Sequence, residues 1–240
     1  MKGGGGSVPE RLEAIRARIG RACDRVDRDP ESVQLLAVSK MQPARSVSDA
    51  AGAGQHLFGE NYVQHWLSKV EDPTIIALKD LRWHFIGSLQ RNKIRFLLGR
   101  VHCIETVDRI KLARELSKRA LDRVGGTPQQ VLLEVNLAGE PEKAGFSPAQ
   151  LHEVLGELLV LPGLAIDGLM AIPPQRERAE ASRSDHRALA LLRERLQEEQ
   201  GVALPTLSMG MSSDFEVAIE EGSTRVRVGT GIFGPRPPRS

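Results

Sequence analysis

The stretch that decides the fold is VQLLAVSKMQP, residues 33–43. Its first six residues are mostly apolar and predict a short strand, and Pro43 then suits the first turn of a helix. The turn between them, Ser39 to Gln42, contains no glycine. An open dinucleotide-binding sheet usually carries a glycine-rich G-x-G-x-x-G turn after its first strand. The stretch therefore favours another arrangement of parallel strands.

The same strand-then-helix order recurs along the chain. An amphipathic helix is predicted over Pro9 to Val26, and short apolar segments alternating with helical patterns follow it. We predict strands at 33–38, 56–59, 83–87, 101–104, 131–136, 164–170, 206–209 and 224–228. Three helix caps are also predicted: Thr106 after the fourth strand, Ser147 with Pro148 after the fifth, and Ser212 or Ser213 after the seventh.

Eight such units in about 250 residues predict an α/β fold built as a single TIM (β/α)8 barrel. An open doubly wound sheet is the main alternative. We expect one barrel domain over residues 9–234, with a glycine-rich leader at 1–8 and a short tail at 235–240.

Charge, apolar content and cysteine usage exclude several classes of protein. The chain has 240 residues with a formal net charge of +2, so we expect neither nucleic acid nor a membrane surface as a partner. No apolar stretch is long enough to span a bilayer, and no signal peptide follows Lys2, which indicates a cytoplasmic protein. The two cysteines, Cys23 and Cys103, lie far apart in no metal-binding pattern, so no metal site is expected.

The chemistry of a barrel lies at the carboxyl ends of its strands, and Lys40 follows the first one. Alternation places Leu36, Val38 and Lys40 on one face, which directs the lysine into the barrel mouth. A partly desolvated amine there is nucleophilic toward an aldehyde. A solvated lysine at a strand end is the alternative.

The loops after the seventh and eighth strands combine glycines with hydroxyl groups. Ser212 follows Gly210, and Gly229 is followed by Thr230. In barrels this pair of loops commonly forms a phosphate site, because glycine lets backbone N–H groups approach a ligand closely. The alternative is that Gly210 and Gly229 serve tight turns and Ser212 only caps a helix.

The eighth strand places an arginine in an unusual position. In Arg225-Val226-Arg227-Val228, alternation sends the valines outward and Arg227 into the barrel. A buried arginine needs an acceptor, which a ligand or an interior acid such as Glu134 could supply. His84, between two aromatic residues of the third strand, is expected to be a hydrogen-bonded core residue.

Several long segments together resemble the YggS/PROSC family of pyridoxal phosphate homeostasis proteins. They are AVSK (37–40), FGENYVQ (58–64), WHFIG (83–87) with LQ (89–90) and NK (92–93), GLMAIP (168–173), LSMGMS (207–212) with Asp214, GST (222–224) with VR (226–227) and GT (229–230), and IFG (232–234). The resemblance covers most of the chain.

The resemblance implies a fold-type III barrel like the alanine racemase N-terminal domain. It implies pyridoxal 5′-phosphate held as a Schiff base on Lys40, with Arg227 against the pyridine nitrogen. Ser212, Gly229 and Thr230 would hold the phosphate, and Asn61, Ser208 and Met211 would line the site. No catalytic residue is assigned.

An arginine keeps its proton, so the pyridine nitrogen beside it would stay unprotonated and be a weak electron sink. Alanine racemase needs a second base and an extra C-terminal domain, which we do not expect here. We therefore expect a monomeric carrier that holds pyridoxal phosphate and supplies it to apo-enzymes, without robust catalysis. A low-activity amino-acid racemase and a barrel enzyme for a phosphorylated metabolite are the alternatives.

Overall fold

A computed structural model describes residues 6–123, 126–140, 142–174 and 176–235. Within these ranges eight parallel strands close into a barrel in chain order, which confirms the predicted TIM barrel. The strands are β1 (Gln34–Val38), β2 (Leu57–Glu60), β3 (Arg82–Phe85), β4 (Cys103–Val107), β5 (Gln129–Val135), β6 (Leu164–Ala171), β7 (Thr206–Met211) and β8 (Arg225–Val228).

Helices surround the strands. They are α1 (Val8–Asp24), α2 (Ala44–Gly52), α3 (Val63–Val70), α4 (Pro73–Ile76), α5 (Ile94–Leu97), α6 (Ile110–Leu121), α7 (Pro148–Leu159), α8 (Arg183–Gln200), α9 (Phe215–Glu220) and α10 (Thr230–Phe233). No described helix combines the length and apolarity needed to cross a bilayer.

Capping residues define where two of the helices begin. Ser7 and Glu10 form a capping box at the start of α1, so this helix begins inside the predicted leader. Ser147 caps α7 and Pro148 follows it, as the sequence predicts, and Gln150 completes a second capping box. The rest of the leader (1–5) and of the tail (236–240) lies outside the described residues.

Alternation along the strands divides the core into two parts. Outward residues such as Ala37 and Phe58 join the large cluster beneath the helices. Inward residues fill the barrel, where Leu36, Val38, Leu57 and Ile86 form one cluster and Cys103, Leu132 and Met170 another. The remaining interior positions carry polar and charged side chains.

The region around β4 differs from the prediction. The strand runs two residues past Glu105, and Thr106 is part of it instead of capping a helix. The Thr106 hydroxyl donates to the Gly87 carbonyl at 2.6 Å, and the helix begins only at Ile110. The longer strand places the Glu105 side chain inside the barrel.

Gly168 generates a stability prediction, because β6 and β7 approach each other closely there. Its φ is +153°, and an added Cβ would lie 1.8 Å from the Thr206 carbonyl oxygen. We expect Gly168→Ala to lower the free energy of unfolding by about 2 kcal/mol or more. Urea unfolding followed by circular dichroism measures this change.

Gly156 provides the matched control. It is exposed in the middle of α7, where an added Cβ meets only the Gln200 side chain, at 3.9 Å. Gly156→Ala should therefore raise the unfolding free energy by up to about 1 kcal/mol. Equal effects of the two substitutions would contradict the close approach of β6 and β7.

Candidate functional site

The predicted site residues lie in, or shortly after, four neighbouring strands of the barrel. Because the strands are parallel, their carboxyl ends open at one mouth, and closure pairs β1 with β8, with Leu36 opposite Arg227. Lys40 follows β1 and is half-buried. The other predicted residues lie in or directly after β2, β7 and β8: Asn61, Ser208, Met211, Ser212, Arg227, Gly229 and Thr230.

A buried ion pair holds the turn that carries Lys40. The Lys69 ammonium of α3 pairs with the Glu60 carboxylate and donates to the Ser39 carbonyl at 2.6 Å. The Ser39 hydroxyl donates to the same carboxylate at 2.7 Å. Burial lowers the pKa of Lys69, and the charge of Glu60 opposes that shift. The residue after Lys40, Met41, has a φ of +62°, a strained conformation that the surrounding hydrogen bonds to Ser39 help to hold.

Asn61 presents an unused acceptor at the mouth. Its Oδ1 is buried and has no hydrogen-bond partner among the described residues, while its Nδ2 makes a long contact of 3.5 Å with the Ile86 carbonyl. Buried amide oxygens are normally satisfied, so this atom fits a polar ligand. Asn61 also lines a cleft together with Met41 and the half-exposed Tyr62.

The loop after β7 is held by Asp214. Its Oδ1 accepts from the Met211 amide at 2.7 Å, and its Oδ2 contacts the buried His186 Nε2 at 3.0 Å. Burial would raise the pKa of Asp214, but the hydrogen bond from His186 holds it below its usual value. The N-cap of α9 is Asp214, so the prediction that Ser212 or Ser213 caps this helix is wrong.

Ser212 instead joins the two loops predicted to bind phosphate. Its hydroxyl accepts from the Gly229 amide at 3.3 Å, and Thr230 begins α10 directly afterwards. Gly210, at φ +90°, is required by packing, since an added Cβ would lie 2.5 Å from the Ala218 Cβ. Gly210 lies within β7, so close packing against α9, and not a tight turn, requires the glycine there.

Arg227 points into the barrel and is almost fully buried, as alternation predicts. Its Nη1 donates to the carbonyl and the hydroxyl of Ser208, both at 2.8 Å, and its Nη2 donates to the Ala171 carbonyl at 2.7 Å. Burial lowers its pKa, and Glu105 opposes that shift. Among the described residues, no ion pair joins Arg227 to Glu134, the acid considered as its partner.

Behind Arg227, the fully buried Glu105 connects several strands. Its Oε1 accepts from His84 Nδ1 at 2.6 Å and from Arg225 at 3.2 Å, and its Oε2 accepts from the Ser208 hydroxyl at 2.7 Å. Burial alone would raise the pKa of Glu105, but His84 and Arg225 hold it at about 2. His84 is thus the hydrogen-bonded core residue that the sequence predicts.

These contacts also bear on metal binding. Donor atoms of His84, Cys103 and Glu105 lie within 4.8 Å of one another. The carboxylate already accepts three hydrogen bonds, one of them from an arginine, and burial raises the pKa of the Cys103 thiol. We therefore interpret this cluster as a hydrogen-bond network.

Glu134 forms the wall of a cavity beside Arg227. The cavity lies at the carboxyl ends of β5 and β6 and is also lined by Asn136, Ala171 and Pro173. Burial raises the pKa of Glu134 to about 7; the nearby Asp108 adds to the shift and Arg227 opposes it. Its charge therefore changes near neutral pH.

Sequence reasoning did not assign roles to Glu105, Glu60, Lys69 or Asp214. For Glu105 a usable signal was present, because extending the alternation of β4 past Ile104 would have turned its side chain inward. Glu60 pairs with Lys69 of α3, and Asp214 pairs with His186 of α8. No local sequence pattern indicates either contact between a strand end and a helix.

Comparisons with known proteins agree on one family. A family model described as alanine racemase, N-terminal domain, matches residues 11–237. The pyridoxal phosphate homeostasis protein of Aquifex aeolicus is 47% identical over 229 residues, covering 95% of this chain and 97% of that protein. The protein of the same name from Pseudomonas aeruginosa is 44% identical, covering 96% of each chain.

Solved structures show the same relationship. PipY of Synechococcus elongatus, with pyridoxal phosphate bound, has a TM-score of 0.84 at 37% identity and covers 95% of this chain and 100% of its own. Alanine racemase from E. faecalis has a TM-score of 0.66 at 15% identity and shares the fold. The match covers 96% of this chain and 59% of that racemase.

The position of Glu134 generates a pH prediction. Its pKa is about 7 in the folded chain and near 4.5 in an unfolded one. Between these values the folded state keeps a proton that the unfolded state has released, so rising pH costs stability. Replacing Glu134 with Gln removes this cost. As pH rises from 4.5 to 7, the unfolding free energy of Glu134→Gln should increase relative to that of wild type by up to about 3 kcal/mol.

Urea unfolding of both proteins across this range measures the gain. Glu153→Gln, which removes an exposed carboxylate from α7, is the control and should show no such trend. A difference between Glu134→Gln and wild type that does not change with pH would contradict the buried, protonated state of Glu134.

Proposed function

This chain belongs to the pyridoxal phosphate homeostasis proteins, within the alanine racemase N-terminal domain family, and on that premise we propose that it binds pyridoxal 5′-phosphate at the barrel mouth. The observation that carries the proposal is Arg227, a buried cation that donates three of its five N–H hydrogens to acceptors among the described residues. The Asn61 Oδ1 at the same mouth, which lacks a partner in the part of the chain that the structure describes, adds a second position for a polar ligand.

Lys40 is proposed to hold the cofactor as a Schiff base. Its amine would attack the aldehyde carbon, a C=N bond would form, and one molecule of water would leave. Two features support this role. Lys40 follows the carboxyl end of β1, and the Glu60–Lys69 pair holds the preceding Ser39 by hydrogen bonds to its hydroxyl and its carbonyl. A fixed turn limits the conformational freedom lost when the cofactor binds.

The phosphate is proposed to lie between the loops after β7 and β8. The Ser212 hydroxyl, the Thr230 hydroxyl and the backbone at Gly229 supply neutral hydrogen-bonding groups there, and the Gly229–Ser212 contact holds the two loops together. Asn61, Ser208 and Met211 are proposed to line the site.

Arg227 is proposed to donate to the pyridine nitrogen. A guanidinium keeps its protons, so it supplies a hydrogen bond and does not protonate the ring. Bound pyridoxal phosphate supplies an electron sink for amino-acid chemistry, and an unprotonated ring weakens that sink. Arg227 therefore favours holding the cofactor over turning over a substrate.

We propose that the chain stores pyridoxal phosphate and supplies it to apo-enzymes, as a monomer and without robust catalysis of its own. Both cysteines are free and buried, which suits the reducing cytoplasm. An amino-acid racemase of low activity is the second candidate, because Tyr62 lines the cleft beside the turn that carries Lys40.

The role of Lys40 can be tested by absorbance and chemical trapping. Wild-type protein mixed with pyridoxal phosphate should develop a yellow Schiff-base absorbance, and borohydride should fix the label on the peptide that contains Lys40. Lys40→Ala should lose both signals because the amine proposed to form the Schiff base is removed. Lys111→Arg, a change at an exposed lysine of α6, is the control and should retain both.

Label spread over surface lysines, or no absorbance at all, would contradict the proposal. That result would favour a barrel that binds a phosphorylated metabolite without a Schiff base.

Carrier and racemase are distinguished by deuterium exchange. We expect the loaded protein to leave the α-deuterium of labelled amino acids in place, at the background rate of Lys40→Ala mixed with pyridoxal phosphate. Mass spectrometry of the recovered amino acids measures the label. Washout many times faster than this background would support the racemase.

A further inference from the structure

A chain of hydrogen bonds runs through the barrel interior and ends at Arg227. Glu105 Oε2 accepts from the Ser208 hydroxyl at 2.7 Å, and the same hydroxyl accepts from Arg227 Nη1 at 2.8 Å. At the other oxygen, Glu105 accepts from His84 and from Arg225. All five side chains are buried, and they come from four strands.

The charges fix the direction of each bond. An ionised carboxylate can only accept, so His84 carries its proton on Nδ1 and the Ser208 hydroxyl points its hydrogen at Glu105. The lone pairs of that hydroxyl are then turned toward Arg227. If Ser208 were released from Glu105, its hydrogen could rotate toward Arg227, where it would meet another donor.

This direction determines what Arg227 can offer a ligand. Three of its five N–H hydrogens are donated to Ser208 and Ala171 in the hydrogen bonds of the described residues. These three bonds fix the guanidinium plane, and the remaining hydrogens take their direction from it. Glu105, whose pKa is held low, also supplies a negative charge close to the two buried arginines Arg225 and Arg227.

We propose that Glu105 is a positioning residue, which orients the Arg227 guanidinium through the Ser208 hydroxyl for hydrogen bonding to the bound cofactor. The inference deepens the proposed function and rests on it, because Arg227 is the group proposed to meet the pyridine nitrogen. The network itself exists in the protein without cofactor and can be examined there.

An amide cannot replace this carboxylate. Glu105 accepts from three donors through two oxygens, whereas the amide of Glu105→Gln has one accepting end and one donating end. If its oxygen faces Ser208, its NH2 group faces the donors of Arg225 and His84. If its NH2 group faces Ser208, the hydroxyl must send its hydrogen elsewhere. The first orientation sets the amide NH2 group against the charged Arg225, so the second is favoured, and it breaks the chain at Ser208.

The first measurement uses the cofactor-free protein. In 15N-labelled wild type, the Arg227 Nη1 hydrogens should give separate NMR signals that exchange slowly with water, assigned by their loss in Arg227→Lys. Glu105→Gln should speed this exchange by about tenfold or more, because the Ser208 acceptor is lost. Ile104→Val, which trims the outward neighbour in β4, is the control and should leave the signals unchanged.

The second measurement is the affinity for pyridoxal phosphate. Glu105→Gln and Ser208→Ala should each weaken binding by about tenfold, and the double variant should be no weaker than the single ones, because both break one chain. Additive losses, or unchanged affinity in Glu105→Gln, would overturn the proposal. Restored affinity in Glu105→Asp, whose carboxylate keeps both acceptors, would support it.

The two readouts separate the two proposals. If wild type binds no pyridoxal phosphate, the proposed function fails and with it the part of this inference that concerns the cofactor. The exchange of the Arg227 hydrogens then still decides whether Glu105 orients them. If Glu105→Gln does not fold, Ser208→Ala makes the same test, and unchanged Arg227 signals in that variant overturn the inference.

Discussion

Closure of the eight parallel strands imposes the constraint on which the rest of the structure depends. Every second side chain then points into one enclosed interior, where an unpaired charge is costly. The strand β8 contributes two arginines to that interior, and Glu105 of β4 lies across from them. The buried carboxylate therefore acts as a common acceptor for groups from β3, β7 and β8.

Buried pairs of ionisable side chains also hold two segments at the mouth of the barrel. The Glu60–Lys69 pair fixes the turn before Lys40, and Asp214 with His186 fixes the loop that carries Met211 and Ser212. Both supports lie outside the strand ring and touch backbone groups of the mouth. Such preorganisation suits a site whose proposed task is to hold a ligand.

Alternation and helix caps account for what could be predicted from the sequence. They placed Arg227 inside the barrel and located the start of α7 at Ser147, both of which the structure confirms. Two rules compete at the end of β4: alternation continues the strand past Ile104, whereas Thr106 resembles a helix cap, and the structure follows the first. The pairing of Glu105 with Ser208 depends on closure, which joins residues that are 103 positions apart.

The central claim is that Lys40, Arg227 and the loops after β7 and β8 form one cofactor site. A crystal structure of the protein grown with pyridoxal phosphate tests it most directly. The account predicts continuous density from Lys40 Nζ to the aldehyde carbon, with the pyridine nitrogen on Arg227 and the phosphate beside Ser212 and Gly229. Pyridoxal phosphate bound elsewhere, with an unmodified Lys40, would contradict it.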